Sequence, residues 1–556
     1  MTIPELIFYN TRKFSEQTAL AYKFKNRFQG ITFAQLKSAV YQLKNSLITL
    51  GASRGDTIAL FSENRPEWVM ADLAIQLLGA ITVPIHSVFQ PKYIKHVIDD
   101  SGAKILFISD SHLFEKLYQA HETLNLKKII YFSRNRIFGL DREKFIYFRD
   151  LIKTPPPETA PTQLSLIDEP ATTTATIVYT SGTTGLPKGV VLSHRNLISN
   201  IQASARAIFI GPQDRFLSFL PLSHIFERTA GYYTPLAQGA AIYYAGDYRD
   251  LAADLQLAKP TILVGVPRVF EKAYEKISGK KSFQIVNGLP GGNILLRRII
   301  KKRFGGRIKF CISGGATLDP SISKFFHNFG LAILEGYGLT ETSPVVSTNR
   351  LKQNRFGTCG LPLDNLEVKL AADNELLVKG PSVAANYHRL PLASKESLTE
   401  DGFFKTGDFA KIDEDGYIKI LGRKKNIIVL STGKKVQPEE IESALDASPY
   451  INQSMIIGEG RKMITAIITP AWDTFKNDPA WAQSSTEMQE RMAYSLIRSE
   501  INQLLADFPD HEQIKKIILL VKPFSVEEDE LSPTLKLKRR VIEKNYQREI
   551  EEMYRQ

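Results

Sequence analysis

Only two cysteines, Cys311 and Cys359, occur in 556 residues. That excludes a disulfide framework and suits buried thiols in a reducing compartment. No stretch reaches the roughly 18 uninterrupted apolar residues of a membrane-spanning helix. The nearest, VMADLAIQLLGAITVPI at 69–85, is interrupted by Asp72 and Gln76 and broken by Gly79 and Pro84; it is expected to be a buried helix running into a strand. The opening MTIPELIFYNTRKF lacks the basic-then-apolar order of a secretory leader, so a cytoplasmic protein is expected. No internal repeat, long low-complexity tract or nucleic-acid module stands out.

What is present is positive charge. The formal net charge is +12 with 43% hydrophobic residues, a soluble composition suited to anionic partners such as nucleotides, coenzymes or acidic lipid. The densest basic cluster, ILLRRIIKKRFGGR at 294–307, alternates apolar and basic pairs. A helix there is amphipathic, and two roles fit it: a half-buried helix with a solvated basic face, or peripheral contact with an anionic membrane, such as the inner face of one.

Apolar strand-like runs alternate with helical stretches through the first 350 or so residues: IALFSEN (58–64), ILFISD (105–110), IIYFS (129–133), TIVYT (176–180), TILVGVP (261–267) and IKFCISGG (308–315). This predicts an α/β architecture with largely parallel strands. TPPPETAPT (154–162) reads as a surface connector. Between about 357 and 422 the pattern shifts to short strands with turns such as ADNE and DEDG, a small β unit. Strand and helix signals then return and end in a charged helical tail. The expected division is a large domain at 1–422, with the β-rich part at 357–422, and a small α+β domain at 423–556, the junction falling at Gly-Arg-Lys-Lys (422–425).

YTSGTTGLPKGV at 179–190 follows a strand expected at 174–180 and precedes SHRNLISNIQ, a helix with Ser193 as its N-cap. Thr180, Ser181, Thr183 and Thr184 offer hydroxyls, while Gly182, Gly185 and Gly189 let backbone N–H groups approach an anion, and Lys188 adds a mobile positive charge. The spacing rejects a Walker A loop, since Pro187 stands where the second glycine belongs and Gly189 follows the lysine. In EGYGLTET (335–342) the last glycine of a dinucleotide fingerprint is replaced by Glu341, so that reading fails too.

Together with PLSHIFER (221–228), GVPRVFEK (265–272), SGGATL (313–318), FKTGD (404–408), GRKKNIIVLSTGKKVQPEEIE (422–442) and LSPTLKLKRR (531–540), these motifs resemble, in order, the AMP-forming acyl-adenylating superfamily, the ANL enzymes. They are most similar to its long-chain fatty acid CoA ligases. The resemblance implies an acyl-CoA synthetase-like fold with a β-barrel-like subregion in the large domain and a mobile C-terminal domain. It implies that Thr180, Ser181, Gly182, Thr183, Thr184, Gly185 and Lys188 cradle phosphates, and that Gly314, Gly315, Tyr337 and Gly338 border the nucleotide, with the Tyr337 ring on adenine. Thr340 would meet the α-phosphate, and Glu341 with Thr184 would hold Mg²⁺, a hard cation that takes oxygen ligands. Asp408 would accept both ribose hydroxyls, a role a two-oxygen carboxylate fills well, and Arg423 would reach ribose or phosphate. Lys425 would be the hinge, Gly433 would line the thiol channel and His224 would border the acyl tunnel. Lys536 would bridge the carboxylate and the α-phosphate, although Leu535 stands where glycine is commoner.

The implied reaction uses Mg²⁺, ATP, coenzyme A and a fatty acid. The acid attacks the α-phosphorus of ATP, pyrophosphate leaves, and the coenzyme A thiol then displaces AMP. Transfer to a carrier protein and a non-catalytic lipid- or nucleotide-binding homologue are the alternatives.

Overall fold

In a computed structural model of the chain, residues 1–556 are described apart from 110, 122–123, 134–142, 154–170, 181–185, 247–249, 280–282, 284–285, 287–291, 385, 447, 477–480, 482, 533–535 and 556. The Pro-rich connector at 154–162 therefore lies outside the described residues. Two compact units emerge: Met1–Lys369 with Leu377–Lys405, and Leu370–Leu376 with Thr406–Gln556.

Among the described residues, two large sheets build the larger unit. In one, strands run in the spatial order Asn386–Tyr387, Lys188–Ser193, Thr174–Thr180, Ile81–Ile85, Thr57–Phe61, Ile105–Ile108, Lys128–Tyr131 and Phe145–Tyr147. The five strands from Ile81–Ile85 to Phe145–Tyr147 in this order are parallel to one another. The second sheet runs Leu361–Pro362, Val345–Thr348, Ala332–Gly338, Phe310–Ser313, Ile262–Gly265, Arg215–Ser218, Ala241–Tyr244, Thr18–Phe24 and Arg27–Thr32. Its central strands are parallel as well. Every strand run anticipated from the sequence lies on one of these strands. Their unbroken burial, as in the Phe310–Ser313 strand, reflects cover on both faces. Residues 69–85 fold as expected, into a helix Pro66–Leu78 closed by Gly79 in the left-handed region (φ 81°) and then a strand.

Asp72 is polar inside that buried helix because it meets a buried cation, and Gln76 because it donates to Asp72 and to the Tyr233 hydroxyl. Arg228 and Asp72 are paired with both side chains fully buried. Tyr233 Oη donates to Asp72 Oδ2 at 2.8 Å, Tyr232 Oη at 3.2 Å, and Gln76 Nε2 to Asp72 Oδ1 at 2.8 Å. Arg228, Tyr232 and Tyr233 come from a π-helical turn, Glu227–Tyr233. Its wider turn brings residues four and five places beyond Arg228 onto one side.

Glu227, at the start of this turn, is also buried, and burial pushes its carboxyl up to about 8. Ser218 Oγ donates to Oε1 at 2.6 Å. Gly231 makes the room, since a Cβ there would lie 2.5 Å from the carboxyl group. Between the ordinary value of 4.5 and about 8 the folded chain holds one proton more than the unfolded chain at this site. This group therefore lowers stability as pH rises, by up to about 1.4 kcal/mol per unit. Glu227→Gln keeps the neutral shape and removes the titration. In urea unfolding its advantage over the parent is expected to grow from about pH 5 to about pH 8; a gap that ignores pH would mean that Glu227 is ionised in the fold.

Residues 367–423 form short strands, Glu367–Leu370, Glu375–Lys379, Phe404–Ile412 and Ile418–Arg423. The ADNE and DEDG segments make turns as their sequences demand, with Asn374 (φ 67°) and Gly416 (φ 85°) in the left-handed region. In the smaller unit a sheet of Ile451–Ile457, Thr465–Pro470 and Lys516–Leu519 separates two cores. Ile441, Leu445, Ile497 and Ile501 pack in one of them, and Ile542, Ile550 and Met553 of the charged tail pack in the other. The tail is thus a structural layer of an α+β unit.

Candidate functional site

The parallel strands Arg215–Ser218, Ile262–Gly265, Phe310–Ser313 and Ala332–Gly338 share one carboxyl edge, and at that edge the motifs collect: PLSHIFER, GVPR, SGG and YGLTE. Crevices outside the carboxyl ends of parallel strands are where α/β sheets bind ligands. Gly314 donates its N–H to the Gly265 carbonyl at 3.2 Å. It must be glycine because an added Cβ would lie 2.7 Å from the Phe226 ring. Phe226 N–H in turn donates to His224 Nδ1 at 3.2 Å. Gly315 takes φ 87°. This places His224, Gly314 and Gly315 in one neighbourhood. His224 also stands 6.3 Å from His86, ring centre to ring centre.

Tyr337 and Gly338 end the Ala332–Gly338 strand, and the 3₁₀ turn Thr340–Thr342 follows. A Cβ at Gly338 would fall 2.0 Å from the Pro344 carbonyl oxygen, so only glycine permits the chain to fold back so tightly. The turn is clamped from the helix His194–Ala207. Asn200 Nδ2 donates to the carbonyls of Val345 (2.7 Å) and Thr342 (3.3 Å), and Val345 N–H returns a bond to Asn200 Oδ1 at 3.2 Å. That helix is capped as the sequence indicated, Ser193 Oγ accepting from Asn196 N–H at 3.1 Å.

The Thr174–Thr180 and Lys188–Ser193 strands form an antiparallel hairpin in which Thr180 faces Lys188. Ser181, Gly182, Thr183, Thr184 and Gly185 lie outside the described residues. Gly189 is closed in by Ile177, 2.8 Å from a virtual Cβ. Beyond it the Asn386–Tyr387 strand pairs with Val190 and Val191. Tyr387 Oη then donates to Glu341 Oε1 at 2.9 Å, and Glu341 lines a recess with Ala384, Asn386, Tyr387, Ser397 and Phe404. The lysine strand and the glutamate turn, far apart in sequence, are therefore joined through Tyr387.

Asn200 and Tyr387 were not singled out from the sequence. Asn196 and Asn200 did carry a signal, two asparagines one helical turn apart among apolar residues. Tyr387 carried none, since its contact to Glu341 spans 46 residues.

In the smaller unit Asp408 and Arg423 are cross-strand partners. The Arg423 Nε lies 2.9 Å from Asp408 Oδ1, with the aspartate side chain buried and the arginine about half exposed. Beside them Lys424 bridges Asp373 (2.6 Å) and Glu375 (2.9 Å), and Glu375 Oε1 accepts from Gly407 N–H at 2.9 Å. Lys536 keeps part of its side chain open to solvent. Even so, burial among surrounding atoms pulls its ammonium down to about 8, with Arg423 lowering it further and Asp408 opposing. Water reaching the side chain screens these effects, so the direction, not the size, bears on chemistry. Lys425 is exposed in the 3₁₀ turn Lys424–Asn426. Gly433 (φ 77°) is exposed at the tip of the hairpin Ile428–Val429/Lys435–Val436.

Among the described residues no cluster of three His, Cys, Asp or Glu side chains could hold a metal by itself. Glu341 presents one carboxylate, partly buried and steadied by a phenol. That fits Mg²⁺ bound through one or two carboxylates and mainly by polyphosphate oxygens. Among the described residues no helix is long and apolar enough to cross a membrane.

These arrangements match known proteins along nearly the whole chain. The AMP-binding enzyme family matches residues 7–388, and the AMP-binding enzyme C-terminal domain matches residues 425–556. The long-chain-fatty-acid–CoA ligase FadD15 of Mycobacterium bovis is 33% identical over 570 aligned positions, covering 94% of this chain and 92% of the relative. Long chain acyl-CoA synthetase 6, peroxisomal, of Arabidopsis thaliana is 28% identical, covering 95% and 82%. In fold, the chain resembles the crystal structure of the anthranilate CoA ligase AuaEII in complex with anthranoyl-AMP, with a TM-score of 0.80 at 21% identity over 98% of this chain and 97% of that one. The chain belongs to the AMP-binding enzyme family, as a large α/β domain followed by a small C-terminal one.

Proposed function

We propose that this protein joins a long-chain fatty acid to coenzyme A in two steps, consuming ATP and releasing pyrophosphate and AMP. The observation that carries the reading is likeness to long-chain-fatty-acid–CoA ligases over 94% of the chain, in a sequence that retains Lys188, Glu341, Asp408, Arg423 and Lys536 together.

In the first step a carboxylate oxygen of the acid attacks the α-phosphorus of ATP, and the bond to pyrophosphate breaks. Thr180, Lys188 and the 181–185 loop bind the phosphates, Gly314, Gly315, Tyr337 and Gly338 border the nucleotide, and Thr340 meets the α-phosphate. Glu341, with Thr184, would hold Mg²⁺, which neutralises polyphosphate charge when bound. Asp408, fixed by Arg423, accepts the ribose hydroxyls, and His224 borders the acyl chain. Lys536 offsets the repulsion between the two approaching anions. In the second step the coenzyme A sulfur attacks the acyl carbon and AMP leaves; no enzyme nucleophile takes part. A swing about Lys425 exchanges Lys536 for the Gly433 hairpin between the steps.

The test is product analysis with carboxylic acids of increasing length, offered coenzyme A or a phosphopantetheinylated carrier protein. AMP and pyrophosphate with long acids and coenzyme A are expected; ADP as the nucleotide product would end the reading. Within it, Tyr387→Phe removes the phenol that steadies Glu341. Such a supporting contact is worth about 10- to 100-fold in metal affinity. The Mg²⁺ concentration for half-maximal pyrophosphate release should rise by about that factor, with turnover at saturating Mg²⁺ largely kept.

A further inference from the structure

The 43 residues from 276 to 318 contain ten Lys and Arg and no Asp or Glu, in a chain whose formal charge is only +12. Most of the excess charge is therefore concentrated in under a tenth of the sequence. The helix Gly292–Arg303 lies inside this stretch. Its buried positions, Gly292, Leu296 and Ile300, recur every four residues and fix how the helix is rotated against the body.

At about 100° per residue, the opposite face carries Ile294, Arg298 and Lys302 in one row, with Leu295 and Ile299 beside it. Ile294 is 64% exposed, Leu295 50% and Ile299 40%. Arg297 instead lies over Gly330, where an added Cβ would come 2.4 Å from its Nε. Lys309 is neutralised by Asp214 at 2.7 Å. Among the described residues, Arg298, Lys302 and Arg303 have no such acidic partner. Three large apolar side chains and a row of cations thus share one outward face.

We propose that this face docks on an anionic lipid surface, with the helix lying in the headgroup plane. The charge pattern selects the occupant. Apolar side chains on a cationic face gain from entering the headgroup boundary while the cations meet lipid phosphates. Nucleic acid would satisfy the cations and leave Ile294, Leu295 and Ile299 without cover. A second copy would set like charge against like. Binding is reversible, since one short helix without a lipid anchor gives modest affinity. The inference is independent of the acyl-adenylation reading, because its readout is vesicle binding.

The test is co-sedimentation of the full chain with vesicles of phosphatidylcholine alone and of phosphatidylcholine with phosphatidylglycerol, at low and high salt. Binding is expected to the anionic vesicles only, falling as salt rises. Each basic residue at such a surface contributes about fivefold, so Arg298→Gln with Lys302→Gln should weaken binding about 25-fold. Ile294→Ser with Ile299→Ser should weaken it about tenfold or more with the charge intact. Both pairs are solvent-exposed, and unchanged circular dichroism and unchanged pyrophosphate release with a water-soluble short acid would verify the fold. No vesicle binding, or equal binding by parent and variants, overturns the proposal. Loss in the Gln pair but none in the Ser pair also overturns it, pointing to a polyanion such as nucleic acid. Absence of pyrophosphate release from the parent would count against the enzymatic reading and leave the vesicle result standing.

Discussion

Lys536→Ala is expected to slow pyrophosphate release from ATP and fatty acid by about two to three orders of magnitude, the range found when one donor aimed at developing charge is removed. It should largely spare thioester formation from acyl-adenylate supplied ready-made. The asymmetry follows from the charges. In the first half-reaction a carboxylate must approach a phosphate, and only a cation placed between them offsets their repulsion. In the second, a sulfur attacks a neutral acyl carbon and no such repulsion arises. The pH dependence gives an independent readout. An ammonium pulled below its ordinary value loses its proton at a lower pH than a free lysine does. Adenylation should therefore fall on the alkaline side before a free lysine would titrate. Lys536→Arg, whose guanidinium stays charged, should move that fall to higher pH even if its overall rate is lower. Equal loss of both half-reactions in Lys536→Ala, or an alkaline limb unmoved in Lys536→Arg, would remove Lys536 from the role.

The strands were legible because both sheets of the larger unit bury strands on two faces, so that IALFSEN or TILVGVP stands out as a short apolar run whatever its neighbours. The Ser193 cap and the helix after it were legible because capping is local, needing only the next few residues. Glycines that permit close approach were visible as types, but their partners were not. Gly338 is required by Pro344, six residues on, and Gly314 by Phe226, far upstream. The candidate site was readable as separate motifs in order. What joins them was hidden: Tyr387 ties Glu341 to the lysine strand, and Asn200 clamps the Glu341 turn from a helix about 140 residues earlier. Such contacts depend on which strand lies beside which, and that is fixed by packing, not by spacing along the chain. The basic helix shows the same limit. Its alternation of apolar and basic pairs was plain, yet which isoleucines face outward follows only from the rotation set by Leu296 and Ile300.

Asp72→Ala should destabilise the larger unit by about 3–5 kcal/mol, because it leaves the Arg228 guanidinium buried without its counter-charge. The same loss strips the Tyr233, Tyr232 and Gln76 donors of their common acceptor. Arg228→Met should cost a similar amount from the other side, stranding a buried carboxylate. The pair Asp72→Leu with Arg228→Met removes both charges and replaces them with apolar volume, so it should cost clearly less than the sum of the two single changes. A chain of two units does not unfold in one step, and the signal must be assigned to the right one. Trp68 makes this possible. Of three tryptophans, it alone lies in the larger unit, fully buried, with the Arg228 guanidinium 5.2 Å from its ring. In a Trp472→Phe, Trp481→Phe background its fluorescence in urea therefore reports the larger unit alone. If the double replacement proved as damaging as the two single ones added together, the attraction between the charges would not be what holds the π-helical turn in place, and the tyrosine and glutamine hydrogen bonds would have to account for it.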